Sequence, residues 1–110
     1  LIPAKVTSPK SLENDELGPI TGNFIKQFPI GSKVKLLVQP EDLEHDDKSN
    51  LQLEVVDKKF RGTGFIYTLK TIKNLLIPVF VQSHHIHQHE IKEKFGIKRP
   101  IHIEHLVCFN

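Results

Sequence analysis

The feature that most constrains this chain is a period-two alternation of apolar and polar residues. Val34, Leu36 and Val38 alternate with Lys33, Lys35 and Leu37. Leu51, Leu53 and Val55 alternate with Gln52 and Glu54, and Phe65, Tyr67 and Leu69 with Ile66, Thr68 and Lys70. Successive side chains of a strand point to opposite faces, so each run predicts a strand with one buried face. Pro40 ends the first run because it has no amide proton to give to a ladder. The second slips at Val56 before reaching Phe60, as an inserted bulge residue would make it do.

Arg61-Gly62-Thr63-Gly64 then supplies two glycines between Phe60 and Phe65, a loop suited to a hairpin. After a turn at Lys73-Asn74, Leu75 to Val81 is apolar on both faces and reads as the next strand of a meander. Ile101 and Ile103 open a last strand through Leu106, Val107, Cys108 and Phe109, with a change of phase around His105. Ile2 to Val6 and Ile20 to Ile25 are weaker strand candidates. Glu90 to Phe95 has Ile91 and Phe95 at i and i+4 and a stop at Gly96, which predicts one or two helical turns. Pro40 to Leu43 forms a turn of helix at most, and the polar stretches Ser8 to Pro19 and Glu44 to Asn50 read as surface loops.

Several strands with so little helix must close on themselves or pair into two sheets to bury their apolar faces and hide their edges. With 110 residues, the expectation is one all-β domain over residues 1–110, a small barrel. The chain has no G-x-x-x-x-G-K-[ST] loop to cradle phosphates, so ATP chemistry is not expected in it. Its single cysteine, Cys108, excludes an internal disulfide framework and reads as a buried thiol. No apolar run approaches the ~18 residues needed to span a bilayer. A formal charge of +2 does not by itself argue for a polyanionic partner. The first residue is not methionine, and a fragment of a longer protein is expected.

Four histidines, His84, His85, His87 and His89, form the most conspicuous cluster. In an extended segment His85, His87 and His89 share one face, and neutral imidazole is the commonest metal ligand, so these three are the candidate metal ligands. The plainer reading is a solvated polar loop, because only Glu90 offers an adjacent carboxylate. His102, Glu104 and His105 suggest acid–base chemistry on paper, but a strand puts His102 and Glu104 on one face and His105 on the other, and a structural role is the simpler account. No serine sits in a nucleophile elbow, and no catalytic residue is expected. Lys58, Lys59 and Arg61 with Phe60 and Phe65 resemble the basic and aromatic mixture of a nucleic-acid face. Beside a hairpin tip they read better as a solvated rim, so nucleic acid is not expected as a partner.

Two longer stretches carry a family resemblance. Val34-Lys35-Leu36-Leu37-Val38-Gln39-Pro40-Glu41-Asp42-Leu43 resembles the V-x-L-x-V-R-P-E-D/E-L segment of the C-terminal regulatory (TOBE) domain of ABC importer ATPases, with Gln39 in place of the usual arginine. Val55 to Gly62 followed by Tyr67-Thr68-Leu69 is similar to the V-x-x-x-x-F-R-G … Y-x-L hairpin of the same family. Ser83-His84-His85 and His105-Leu106-Val107-Cys108-Phe109 resemble tail segments of its ferric-cation import subgroup. The resemblance implies an OB-like β-barrel and a regulatory and assembly role, with ferric iron as transported solute. It implies that ATP and Mg bind in a missing ATPase domain of the parent, with no cofactor in this chain. The implied partners are that ATPase domain, the second ATPase subunit and the membrane subunits, with weak homodimerisation. The implied location is cytoplasmic, peripheral to the inner face of the cell membrane. The alternative expectation is a free-standing OB-type module for a metal or an oxyanion, the latter served by Ser32, Lys33 or Arg61.

Overall fold

The computed structural model describes residues 1–82 and 89–110, and among these it contains strands, turns and bends but no helix. No helix is therefore long and apolar enough to cross a membrane among the described residues. The fold is all-β and OB-like. The chain divides into two compact units, Leu1–Val38 with Pro100–Asn110, and Gln39–Arg99.

The first unit contains β1 (Ile2–Ser8), β2 (Ser11–Asn14), β3 (Gly18–Phe24), β4 (Lys33–Leu36), β9 (Ile101–Leu106) and β10 (Cys108–Phe109). They form one sheet in the order β10-β4-β1-β2-β3-β9. β9 lies parallel to β3, whereas β10 lies antiparallel to β4. Only Val107 separates β9 from β10, so one chain segment borders both edges of the sheet and rolls it into a barrel. The break itself is bonded on both sides: Leu37 N–H donates to Val107 O at 2.9 Å, and Ile25 N–H to Leu106 O at 3.1 Å. Closure leaves no long free edge, which suits antiparallel strands with a single buried face. That face is Ile2, Val6, Leu12, Ile20, Val34, Leu36, Ile103 and Leu106, all buried.

The segment Ser8 to Pro19, expected as a surface loop, instead carries β2 and buries Leu12 and Leu17. Two leucines among charges are too sparse to show a period, but a four-residue strand needs no more. Its connection to β3 is built by Asn14, whose buried side chain donates to Pro3 O at 2.8 Å and accepts from the amides of Glu16 and Leu17 at 2.9 Å each. Gly18 follows at φ +81°, a conformation that costs glycine little.

The second unit is a four-stranded sheet in the order β7-β6-β5-β8, from β5 (Gln52–Arg61), β6 (Gly64–Lys70), β7 (Leu76–Gln82) and β8 (Lys94–Gly96). The β5–β6 hairpin turns between Arg61 and Gly64, with Gly62 at φ +61°, and its register shifts between Val55 and Asp57, leaving Val56 as the bulge residue. Asn74, at φ +66°, makes the next turn. Leu53, Val55, Tyr67, Leu69, Ile77 and Val79 are buried between the strands, and Val38, Leu36 and Ile103 in the first unit are buried as the alternation predicts.

The helical turns expected over Glu90 to Phe95 do not form. Glu90 to Glu93 is a turn with Lys92 at φ +76°, and β8 begins at Lys94. Two bonds to β5 decide this: Lys92 N–H donates to Val55 O at 2.7 Å, and Val55 N–H to Glu93 O at 2.9 Å. A helix over this stretch would point these groups along its own axis rather than across to Val55. The i, i+4 pairing of Ile91 and Phe95 is dissolved, with Phe95 buried and Ile91 exposed. Nor is Gly96 a helix stop. A Cβ there would lie 2.0 Å from Asp46 O, so the glycine admits close approach of the loop before β5.

Candidate functional site

That loop, Gln39 to Leu51, is zipped onto the end of β8 and the residues after it. Asp46 N–H donates to Gly96 O at 2.9 Å, Lys98 N–H to Glu44 O at 2.8 Å and Ile97 N–H to Leu51 O at 2.9 Å. His45 and Ile97 form an antiparallel bridge. The loop is shaped further by Asp42, whose carboxylate accepts from Gln39 N–H at 2.8 Å, and by Asp46, whose carboxylate accepts from Lys48 N–H at 3.0 Å. His45 and Asp47 stand two residues apart, where the segment passes from its bridge with Ile97 into a turn.

His89 reaches the same place from the other direction. Its amide donates to the hydroxyl of buried Tyr67 at 3.1 Å, and its Nδ1 lies 3.1 Å from Lys94 O. A carbonyl only accepts, so Nδ1 carries a proton, and in the neutral form of the ring Nε2 is then bare. Phe95 packs against both imidazoles, with ring centroids 4.5 Å from His45 and 4.9 Å from His89.

Three ligand-type atoms converge as a result. His45 Nε2 is 2.6 Å from Asp47 Oδ1, His89 Nε2 is 3.3 Å from the same oxygen, and the two Nε2 atoms are 3.0 Å apart. The imidazole side chains are only 7% and 11% exposed, whereas Asp47 is 45% exposed, so the cluster opens to solvent at its carboxylate edge. His45 also lines a cavity of about 550 Å³ together with Leu43, Phe80 and Val81. Chemically, the arrangement can share a proton among two imidazoles and a carboxylate, or present all three to a cation.

Of the histidines picked out by sequence, His89 stands in this cluster, while His85 and His87, like His84, lie outside the described residues. His45 and Asp47 lie in Glu44 to Asn50, a stretch whose composition marks only a polar loop. The H-x-D spacing was the available signal, but nothing in the sequence pairs it with a residue 44 positions away.

The other candidates separate. His102 Nδ1 is 2.8 Å from Thr21 Oγ1 and its Nε2 is 3.3 Å from Glu104 Oε2, all exposed on the outer face of the barrel. The β3–β9 register shift skips Glu104, so His105 is exposed as well and Leu106 turns inward. Lys58 lies over the Phe65 ring at 4.7 Å and 3.5 Å from Glu90 Oε1, which leaves its side chain 14% exposed. Lys59 is 3.9 Å from Asp57, and Phe60 packs edge-on to Phe65. The basic and aromatic groups of the β5–β6 hairpin thus engage one another and nearby carboxylates. Ser32 Oγ donates to Pro29 O. Cys108, expected as a buried thiol, is only half-buried, and that partial burial pushes the thiol above its ordinary range. No protein-family model and no curated protein matches the chain.

Proposed function

We propose that this chain is the regulatory and assembly domain of the ATP-binding subunit of an ABC importer, with ferric iron as the solute of the parent transporter. The observation that supports this reading is the coincidence of the family-like segments with the framework of the fold. The V-x-L segment is β4, whose Leu36 faces Ile2 on one side and Cys108 on the other. The F-R-G segment turns the β5–β6 hairpin, and His105 to Phe109 is the segment that closes the barrel. In this reading the chain has no catalytic residue and binds no cofactor, and ATP and Mg belong to the ATPase domain of the parent. Its partners are that domain, the second ATPase subunit and, through the parent, the membrane subunits at the inner face of the cell membrane.

The test is the coding sequence upstream of the Leu1 codon, joined to a turnover measurement. The reading expects a phosphate-binding loop and a signature motif in the same frame, and no ATP hydrolysis by the 110-residue chain itself. A gene without a nucleotide-binding domain overturns it. Paired tails need only weak mutual affinity when their ATPase domains already hold them together. Sedimentation of the isolated chain should accordingly show dimers at high concentration only. A strict monomer at millimolar concentration removes that part of the reading.

A further inference from the structure

We infer that His45, Asp47 and His89 form a binding site for a divalent first-row transition ion. The inference is independent of the transporter reading, since it stands on three side chains and their supports.

The first support is the match between donor separations and coordination geometry. Bonds of about 2.0–2.2 Å place neighbouring donors ~3.0 Å apart on an octahedral face and ~3.4 Å apart on a tetrahedral edge. The three separations are 2.6, 3.0 and 3.3 Å. Small rotations of Asp47, whose side chain is half in solvent, open the shortest of them.

The second support is the outer shell. Metal-bound imidazoles hold their orientation by donating the other ring N–H to a carbonyl or carboxylate. His89 does this to Lys94 O at 3.1 Å, and the carbonyl belongs to β8, whose register on β5 is fixed by the Leu53–Phe95 pair. In the metal-free state one proton on His45 Nε2 satisfies the cluster by facing both Asp47 and His89. An ion takes that proton's place, and His45 keeps its neutrality by carrying the proton on Nδ1 instead.

The third support is selectivity. Two imidazole nitrogens and one carboxylate oxygen suit Zn²⁺, Fe²⁺, Co²⁺ or Ni²⁺, whereas Mg²⁺ and Ca²⁺ require oxygen-rich shells. The bound ion would staple the loop before β5 to the residue that leads toward β8, fastening backbone 44 positions apart.

The experiment uses the full chain stripped of metal with a chelator, then titrated with Zn²⁺ by calorimetry and with Co²⁺ by visible absorption. One ion per chain is expected, with ligand-field bands for Co²⁺ and a melting temperature that climbs with Zn²⁺ concentration, since only the folded state holds the site. Asp47→Asn should weaken Zn²⁺ binding at least about 10-fold, and His45→Ala or His89→Ala roughly 100-fold or more, on the scale by which even outer-shell losses weaken metal sites. A melt of metal-free Asp47→Asn checks that its fold is intact, and this variant decides where an alanine variant does not fold. The proposal is overturned by absence of Zn²⁺ and Co²⁺ binding, or by a folded Asp47→Asn chain that binds as the original does. It is also overturned if His85→Ala with His87→Ala abolishes binding that Asp47→Asn leaves untouched.

Discussion

Gly22 faces Ile103 across the parallel β3–β9 pair so closely that a Cβ on Gly22 would stand 1.8 Å from the Ile103 carbonyl oxygen. The same Cβ would meet the Leu106 side chain at 2.9 Å. The register shift follows at once, between Gly22 and Asn23. The missing side chain is therefore what lets the closing segment lie against β3 where it changes phase.

Gly22→Ala should destabilise the barrel by about 1–3 kcal/mol or more, because the obstacle is backbone and has no rotamer to yield. Urea denaturation of the variant beside the original chain measures this. Unchanged stability would mean that β9 does not pack on β3 in this register.

Tyr67→Phe keeps the ring that packs 5.1 Å from Phe95 but removes the hydroxyl that accepts the His89 amide. A buried donor left without its acceptor costs about 1–3 kcal/mol. Loss of protection of the His89 amide in hydrogen exchange, alongside a lower denaturation midpoint, is the expected pair of results. A midpoint equal to that of the original chain would show that water replaces the hydroxyl.

Cys108 should react slowly with iodoacetamide near pH 8 compared with a free thiol, and at the free-thiol rate once the chain is unfolded. The thiolate is the nucleophile, and burial keeps the group protonated. The sign for stability follows from proton binding: with the folded value raised, the native chain holds its proton to higher pH than the unfolded chain does. This contribution is fully present below the unfolded thiol range and declines as pH rises through it. Comparison with Cys108→Ala over pH ~7–10 isolates it from lysine and tyrosine titration, and a difference that grows with rising pH would contradict the direction.

Alternation made β5 and β6 legible, down to the bulge at Val56, because a half-buried pleat writes its face into every other residue. It failed where an element is too short to show a period, as in β2, whose Leu12 sits alone among polar neighbours. It also failed at Lys92, where a local helical pattern loses to backbone bonds with Val55, far away in sequence. The candidate site was half legible. A histidine-rich stretch draws attention to His89, but His45 and Asp47 acquire meaning only when Gly96 lets their loop settle beside β8. Such pairings are products of tertiary register, which residue periodicity does not encode.

The segment Ile101–Phe109 that borders both edges of the barrel is joined to β4 through the whole of Gln39–Arg99. During synthesis, β1 to β4 therefore leave the ribosome with the flanks of β3 and β4 unmet, and they wait for all of that intervening chain to be made. Pairings so distant in sequence are slow to form, and unmet flanks invite association with other nascent chains. The β5–β6 and β6–β7 pairings of the inserted sheet are local hairpins, which form sooner than the long-range pairings that close the barrel.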